Sequence, residues 1–360
     1  MARKPSSPLR VGLVGAGYFS EFHLRAWQQI KDAELVAVCD VDAGKAEELA
    51  KKYSLPSHFS SMAKMIQTDG LDLVDLATPP GTHRHLVKLA VDHQVPVICQ
   101  KPFGLNYAEA VELADYAQAA GVPLVVHENF RFMPWYRSIR TMLDEGQLGR
   151  LHGISFRLRP GDGQGPLAYL DRQPYFQKMP RLLIVETAIH FIDTFRYLMG
   201  DVDAVYARLR RLNPHIQGED SAVITFEFSS SAIGVFDGNR LNDMTAENPR
   251  RTMGELWIEG DKGVLRMDGD GRLWFKPHHA DEVACNNPLG DLNAYGGGAC
   301  QALQQRVVQG LLQGTPLENT ARDYLRNLLI QEAIYASHQK GCRIALNNFI
   351  PAEIPTIPQF

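Results

Sequence analysis

The feature that most constrains the fold is a repeated alternation of short apolar runs with longer amphipathic segments over residues 10–127. The apolar runs predict strands at residues 10–14, 34–39, 73–77, 95–99 and 123–127. The segments between them predict helices over residues 21–30, 43–52, 82–93 and 107–120. Strands that alternate with helices of this length form a parallel, doubly wound sheet. The sequence therefore predicts an N-terminal α/β domain over residues 1–125.

The first predicted strand ends in a glycine-rich turn, Gly15-Ala16-Gly17-Tyr18-Phe19-Ser20, and a helix follows it. Such a turn offers main-chain N–H groups and the positive end of a helix dipole to an anion. Gly15 would make the tight turn and Gly17 would let the backbone approach a pyrophosphate, whereas Ser20 stands where the usual fingerprint has a third Gly or Ala. The turn alone is equally compatible with a simple reversal of the chain. With the alternation around it, it favours a Rossmann domain whose cofactor contacts include Gly15, Gly17, Tyr18 and Phe19.

An acidic residue, Asp40, follows the second predicted strand at the distance where a carboxylate meets an adenosine ribose. A carboxylate there favours free ribose hydroxyls and repels a 2′-phosphate, so NAD is predicted rather than NADP. Lys45, Lys51 or Arg84 could offset that repulsion. The alternative role for Asp40 is the N-cap of the next helix, which Asp42 could fill equally well.

Two further loops end predicted strands of the same sheet. Thr78, Pro79 and Pro80 follow the third strand, and we expect them over the cofactor with His83, for which a packed or capping role is as reasonable. Gln100 and Lys101 follow the fourth strand, at the edge where open α/β sheets bind ligands. A solvent-exposed lysine after a buried strand is the alternative for Lys101.

Composition excludes several classes of partner. The chain has 360 residues with 45% hydrophobic and 22% charged residues, which suits two domains better than one core. A formal charge of −4 and no basic run argue against nucleic acid or anionic lipid, and no run is long enough to cross a membrane. A small molecule is the expected ligand.

The five cysteines are odd in number and scattered, without zinc-binding spacing. They are interpreted as reduced thiols of a cytoplasmic protein, and no metal site is predicted. The opening segment has charge but no following apolar stretch of the secretory type.

A second domain is predicted over residues 126–360, where the pattern changes. Strands are predicted at residues 151–159, 204–212, 222–228, 232–236, 255–259, 264–267 and 273–276, and helices at 299–312 and 321–340. Tight turns join the later strands, which indicates antiparallel pairing. We expect an α+β domain with one large open, mostly antiparallel sheet, whose free face forms a homodimer or homotetramer interface.

Taken together, the motifs resemble the Gfo/Idh/MocA family of nicotinamide-dependent sugar and cyclitol oxidoreductases. The matching segments are Gly12-Leu13-Val14-Gly15-Ala16-Gly17, Asp40, Thr78-Pro79-Pro80 with His83, Gln100-Lys101-Pro102, Asn129-Phe130-Arg131-Phe132-Met133-Pro134 and Glu186 to Asp193. Two positions depart from the family pattern: Gln100 replaces the glutamate of Glu-Lys-Pro, and Glu186 replaces an aspartate.

The resemblance implies the same two-domain fold, with Asn129 at the cofactor and a substrate loop over residues 160–181. Candidates for recognising sugar hydroxyls are Arg131, Arg159, Tyr175 and Arg181. The segments 237–243, 252–255 and 260–266 resemble the branch of the family that oxidises the branched aldose D-apiose.

Glu186 and His190 are four residues apart on a predicted helix, so their side chains would share one face, with Asp193 also within reach of the imidazole. A histidine held by a carboxylate can accept a hydroxyl proton near neutral pH. The Glu-x-x-x-His spacing also occurs in metal sites, but no second histidine shares that face. The predicted catalytic residues are therefore His190 as base, Glu186 as its orienting or substrate-binding partner and Lys101 as the cation at the reacting oxygen.

The predicted function is NAD-dependent oxidation of an aldose at C1 to a lactone, with Lys101, Glu186 and His190 also binding the substrate. Alternatives within the fold are a dehydrogenase of a cyclitol or another sugar, and an NAD-dependent glycosidase. An alternative outside catalysis is a dinucleotide-sensing regulator. Because no carboxylate precedes Lys101 in sequence, Glu186 or Glu128 is expected to supply its counter-charge.

Overall fold

The computed structural model describes residues 8–351, which form two compact units. The first unit extends through Asn129 and also includes Gly298–Arg326. The second unit consists of Phe130–Gly297 and the chain from Asn327 onward.

The first unit is built on a six-stranded sheet in which every neighbouring pair is parallel. Its strands are β1 Leu9–Val14, β2 Ala33–Cys39, β3 Ser57–Phe59, β4 Leu73–Leu76, β5 Val97–Gln100 and β6 Leu124–His127, in the order β3-β2-β1-β4-β5-β6. Its helices up to β6 are α1 Ser20–Trp27, α2 Ala43–Tyr53, α3 Met62–Asp69, α4 His83–Asp92 and α5 Tyr107–Ala119. This confirms the predicted Rossmann fold. The sequence did not predict β3, because a three-residue edge strand has almost no periodicity. The helix α3, which follows β3, was not predicted either.

The order of the strands reverses at β1, which has β2 on one side and β4 on the other. Ligands of open α/β sheets bind at such a reversal, beyond the carboxyl ends of the strands. The residues that follow these ends are Gly15, Asp40, Thr78, Lys101 and Glu128. The candidate ligand-binding residues of the first unit therefore lie along one edge of the sheet.

The segment 298–326 completes the first unit. Its helix, α8 Ala299–Gln313, packs against α1 and β6. The main-chain N–H of Val126 donates to the carbonyl of Asn319 at 2.8 Å. The predicted division into residues 1–125 and 126–360 did not anticipate this return of the chain. Periodicity gives the apolar face of a helix but does not tell which sheet will cover it.

The second unit contains a nine-stranded sheet. Its strands are β7 Leu151–Leu158, β8 Val202–Arg210, β9 Ser221–Phe228, β10 Ile233–Asn239, β11 Gly254–Gly260, β12 Gly263–Met267, β13 Leu273–Pro277, β14 Val283–Ala284 and β15 Ile344–Ala345. Their order is β14-β13-β12-β11-β7-β10-β9-β8-β15, and only β7 with β10 is parallel among these pairs. The large, mostly antiparallel sheet is thus confirmed.

Helices cover one face of this sheet. They include α6 Pro134–Asp144 and α7 Ile189–Met199, while α9 Ala321–Lys340 begins in the first unit and ends in the second. Phe191 of α7 packs against Phe156 of β7 and Phe236 of β10, with ring centroids 4.0 and 5.4 Å apart. Burial of each such ring contributes about 1.5–3 kcal/mol, so α7 is firmly anchored.

The opposite face of the sheet carries the alternate residues of each strand. Tyr206, Val223, Ile233 and Trp257 are exposed there by 38 to 47%. Four large apolar side chains are thus exposed on one face of the sheet.

Candidate active site

The glycine turn after β1 has the geometry of a dinucleotide loop. Gly15 adopts a φ of 106°, and a Cβ atom there would lie 2.4 Å from the carbonyl oxygen of Ala77, so only glycine fits. A Cβ on Gly17 would meet no atom within 4 Å, which leaves this part of the turn open to a ligand. The hydroxyl of Ser20 accepts from the N–H of Gly17 at 3.2 Å and closes the turn without a third glycine.

Asp40 braces this turn. Its carboxylate accepts from the N–H of Ala16 at 2.8 Å and from the N–H of Asp42 at 2.9 Å. Asp42, not Asp40, is the N-cap of α2, because its side chain accepts from the N–H of Gly44 at 3.0 Å. Each oxygen of the half-buried Asp40 keeps a lone pair, so it retains the capacity to accept from ribose hydroxyls.

The loop after β4 is tied to the loop after β5 by His83. This imidazole is fully buried, with Nε2 2.8 Å from the carbonyl of Thr78 and Nδ1 3.1 Å from that of Pro102. Burial lowers its pKa. These contacts favour a structural role for His83, with Thr78, Pro79 and Pro80 forming the surface of the loop.

Lys101 is half-buried and directly follows β5. Its main-chain N–H donates to the side-chain oxygen of Gln100 at 2.7 Å. The amide nitrogen of Gln100 lies 3.2 Å from Nε2 of His23, so the Gln100 side chain is engaged within the protein.

Two polar side chains follow β6. Glu128 is fully buried and its carboxylate accepts from the Tyr324 hydroxyl at 3.3 Å. Asn129 is buried as well, and its amide nitrogen lies 3.5 Å from Sγ of Cys300. The amide oxygen of Asn129 has no hydrogen-bond partner among the described residues. A buried acceptor at this edge, together with the open turn at Gly17, fits a bound dinucleotide.

In the second unit, Glu186 and His190 do not lie on one regular helix. A π-helix, Ile184–Ala188, carries Glu186 and leads into α7, which carries His190. At the start of this segment, the carboxylate of Glu219 accepts from the N–H groups of Leu182 and Ile184 at 3.2 and 3.0 Å. The wider turn changes the angular offset that spacing predicts, and π-turns are frequent at functional sites.

His190 is 6% exposed and stacks on Phe130, with ring centroids 4.0 Å apart. Asp193 is fully buried and receives two hydrogen bonds from Arg131, at 2.7 and 2.6 Å, and one from Asn327 at 2.7 Å. The imidazole of His190 is therefore packed against an aromatic ring, and α7 also carries the buried, ion-paired Asp193.

The three arginines predicted to recognise sugar hydroxyls are all bound to carboxylates within the second unit. Arg131 pairs with Asp193, Arg159 with Asp237 at 2.6 Å, and Arg181 with Glu332 at 2.8 Å. Each guanidinium already has its counter-charge, so hydroxyl recognition by them remains a prediction that these pairs do not favour.

Around Glu186 the structure adds residues that the sequence did not single out as a cluster. Arg240 is buried, donates to the Thr187 hydroxyl at 2.6 Å and forms two hydrogen bonds with Asp162, at 3.0 and 2.6 Å. Tyr175 is 54% exposed, and its pKa is raised by desolvation and by the nearby Glu186 carboxylate. Glu186 and Tyr175 therefore lie close enough for the carboxylate to affect the phenol.

One functional signal was present in the sequence and was overlooked. Asp75 is a carboxylate inside an otherwise apolar strand, and the structure buries it completely with His23, whose Nδ1 lies 2.8 Å away. A charged residue in a buried strand requires partners, and that rule could have identified Asp75.

No group of His, Cys, Asp or Glu side chains within residues 8–351 is arranged to hold a metal ion. In the same part of the chain, no helix combines the length and apolarity needed to span a bilayer.

Comparison with known proteins agrees with this geometry. Residues 9–128 match the family model of the oxidoreductase family with an NAD-binding Rossmann fold, and residues 136–266 match the GFO/IDH/MocA C-terminal domain. D-apiose dehydrogenase of Paraburkholderia graminis is 32% identical over 96% of this chain and 91% of its own length. D-apiose dehydrogenase of Rhizobium rhizogenes is 28% identical over 92% of this chain and 96% of its own.

Among solved structures, an oxidoreductase from Agrobacterium radiobacter in complex with NAD⁺, L-tartaric acid and magnesium has a TM-score of 0.87. It is 27% identical, with 95% of this chain and 99% of that chain covered.

The fold and the glycine turn, with the family models that match them, define an NAD-dependent oxidoreductase. More particularly, the chain belongs to the GFO/IDH/MocA family, whose two domain models together match more than half of it.

Proposed function

We propose that this enzyme oxidises a CH–OH group of an uncharged sugar, at C1 of an aldose to give the lactone, and that D-apiose is the first substrate to test. Resemblance to two D-apiose dehydrogenases over nearly the whole chain supports the choice of substrate. Lys101 and His190, which stand in the family's motifs, support the choice of reaction.

The observation that carries the uncharged substrate is the pairing of the arginines. Arg131, Arg159, Arg181 and Arg240 each hold a carboxylate of the same unit at 2.6–2.8 Å. Releasing a buried guanidinium to bind a sugar acid would leave its own carboxylate unpaired, which is costly. A neutral sugar, recognised through Glu186 and Tyr175, avoids that cost.

Three side chains have separate roles in the proposed reaction. His190 accepts the proton of the reacting hydroxyl, and Lys101 donates a hydrogen bond that stabilises the developing alkoxide. Glu186 accepts from a substrate hydroxyl or orients His190, and its side chain is one methylene longer than the family's aspartate. That difference shifts the group by roughly a bond length, enough to alter which sugar fits.

The residues proposed to hold NAD are those of the sheet edge. The turn Gly15 to Phe19 would hold the pyrophosphate, Asp40 would bind the adenosine ribose, and the loop Thr78 to Pro80 with Asn129 would hold the rest of the dinucleotide. When bound, NAD supplies the acceptor for the hydride of the substrate carbon.

We further propose a homodimer or homotetramer formed through the exposed sheet face of Tyr206, Val223, Ile233 and Trp257. An apolar face of this kind is typical of an isologous interface. A cytoplasmic location is proposed because Cys39, Cys99 and Cys300 are buried thiols, as expected of a protein in a reducing compartment.

The test is an NADH-formation screen over D-apiose, other aldoses, cyclitols and sugar acids, run with NAD⁺ and NADP⁺ in parallel. We expect the highest kcat/KM for an uncharged aldose with NAD⁺ and a lactone as the product. Preferential oxidation of a sugar acid would contradict the proposal.

The same screen, extended by a glycoside, separates the alternatives. A family member that cleaves glycosides by transient oxidation would release free sugar from the glycoside without accumulating NADH. A dinucleotide-sensing regulator would bind NADH and turn over nothing on the panel. A cyclitol dehydrogenase would accumulate NADH with cyclitols and form no lactone.

A further inference from the structure

A buried polar cluster surrounds the carboxyl end of β5 in the first unit. Its members come from two helices and three strands: His23 and Trp27 of α1, Asp75 of β4, Gln100 of β5, His127 of β6 and Gln304 of α8. All except the half-buried Gln100 are at most 1% exposed. Apart from Gln100, none belongs to the site proposed above.

The direction of the hydrogen bonds follows from the main-chain N–H of Lys101. That group can only donate, so the atom of Gln100 that faces it at 2.7 Å is the amide oxygen. The amide nitrogen of Gln100 then donates to Nε2 of His23, 3.2 Å away. Nε2 is therefore unprotonated, and the ring proton lies on Nδ1, 2.8 Å from Oδ2 of Asp75. The chain of bonds defines His23 as the neutral Nδ1–H tautomer.

A doubly protonated His23 does not fit this arrangement. Its Nε2–H would face the NH₂ group of Gln100, and turning that amide over would place NH₂ against the N–H of Lys101. In either orientation two donors meet. Only the neutral ring is compatible with both contacts of the Gln100 amide.

Asp75 is ionised without a buried cation beside it. Besides His23, Oδ2 accepts from Nε1 of Trp27 at 2.8 Å and from the side-chain amide of Gln304 at 3.3 Å. Three N–H donors on one carboxylate oxygen favour its charged form.

The other groups around His23 add no positive charge. His127 stacks on it with centroids 4.0 Å apart, and burial lowers the pKa of His127 to about 3, so this ring is neutral as well. The ring of Phe19 meets His23 edge-on at 5.5 Å. The thiols of Cys99 and Cys300 near Asp75 stay protonated, because burial raises their pKa.

We propose that Gln100 is a positioning residue for Lys101, and that the Asp75–His23 pair holds the Gln100 amide in the one orientation that accepts from the Lys101 N–H. The inference rests on the proposed role of Lys101 at the reacting oxygen. Asp75 holds the His23 ring, His23 holds the Gln100 amide, and this amide accepts from the main-chain N–H of Lys101.

This arrangement explains how a glutamine serves where the family pattern has glutamate. A carboxylate at position 100 can accept from the Lys101 N–H but has nothing to donate to Nε2 of His23. His23 would then need a second proton to complete the chain. Gln100 holds the main-chain N–H of Lys101 without adding a charge next to His23.

The first experiment measures the pH dependence of kcat in three variants of the full-length enzyme. In Gln100→Glu, kcat should gain an ionisation absent from the wild type and fall about tenfold as the pH rises and His23 loses its proton. In the double variant His23→Gln/Gln100→Glu, that extra ionisation should vanish, because an amide at position 23 donates without binding a proton. Gln67→Glu, the same change at an exposed position, should keep the wild-type profile.

A wild-type pH profile in Gln100→Glu would overturn the positioning role. A second measurement needs no variant to be active: in ¹⁵N-histidine-labelled enzyme, the His23 signal, assigned by its loss in His23→Gln, should show a protonated Nδ1 and an unprotonated Nε2. The opposite tautomer or an imidazolium would overturn the proposed chain. Failure of the underlying function is recognised separately, since full turnover in Lys101→Met would remove the role of Lys101 while leaving the His23 tautomer unchanged.

Discussion

The imidazole of His190 lies parallel to the ring of Phe130, with planes 8° apart and centroids separated by 4.0 Å. Phe130 is itself buried and meets Phe191 edge-on at 5.6 Å, so the platform under the imidazole is continuous with the core of the second unit. Aromatic packing therefore helps to set the orientation of the proposed base.

Replacing the platform should impair the base without affecting the cofactor. We expect Phe130→Leu to lower kcat about tenfold with an unchanged Kd for NADH, because a small misorientation of a catalytic group is costly. Phe195→Leu is the matched control, since Phe195 is buried on α7, the helix of His190, and packs on Phe226 rather than on His190. Equal losses of kcat in the two variants would contradict a specific role for the stack.

Removing the imidazole should nearly abolish turnover. In His190→Ala we expect kcat to fall by roughly 10²–10⁴-fold, the usual contribution of a general base. NADH binding, followed by fluorescence, should remain at the wild-type level. Unchanged turnover would exclude His190 as the base.

The Arg131–Asp193 pair should matter more for stability than for substrate recognition. Arg131→Met leaves the fully buried Asp193 without its bidentate partner, so we expect a loss of about 3–5 kcal/mol in the free energy of unfolding, measured with urea. Arg250→Met, at an exposed arginine outside the sheet face proposed as an interface, should change it by less than about 0.5 kcal/mol. If the two variants unfold alike, the ion pair contributes nothing.

His127 should make the protein less stable in acid. Burial lowers the pKa of His127 from 6.5 to about 3. Between these two pH values the imidazole is protonated in the unfolded chain but neutral in the folded protein. The free energy of unfolding is therefore highest above pH 6.5 with respect to this group. It decreases as the pH falls toward 3, by at most roughly 5 kcal/mol. His127→Phe should flatten this dependence in urea titrations. A variant that follows the wild-type curve would contradict the burial of a neutral ring.

Asp40 should set both the geometry of the glycine turn and the choice of cofactor. Asp40→Asn loses the negative charge and one of two contacts to main-chain N–H groups, so we expect NADH to bind about tenfold more weakly and the preference over NADPH to shrink. Asp42→Asn is the control, because asparagine caps a helix as well as aspartate does. Dissociation constants for both dinucleotides decide the outcome.

Local patterns sufficed to predict the Rossmann sheet, the glycine turn and the position of Lys101, since each depends on residues close together in the sequence. The partners of the arginines could not be predicted in this way, because Arg131, Arg159 and Arg181 pair with carboxylates 62, 78 and 151 residues away. The acceptor of the main-chain N–H of Leu182, just before the π-turn, is likewise a distant residue, Glu219. Spacing alone predicted a regular helix here, whereas the structure has a wider turn.

The return of residues 298–326 to the first unit has a consequence for biosynthesis. Until Gln304 and Asn319 leave the ribosome, Asp75 lacks one of its donors and the N–H of Val126 lacks its acceptor. The first third of the chain thus emerges with incomplete hydrogen bonding in its polar interior, although domains generally fold as they are made. A nascent or truncated chain ending near residue 129 should depend on chaperones, and the cofactor site should mature only after most of the polypeptide has been translated.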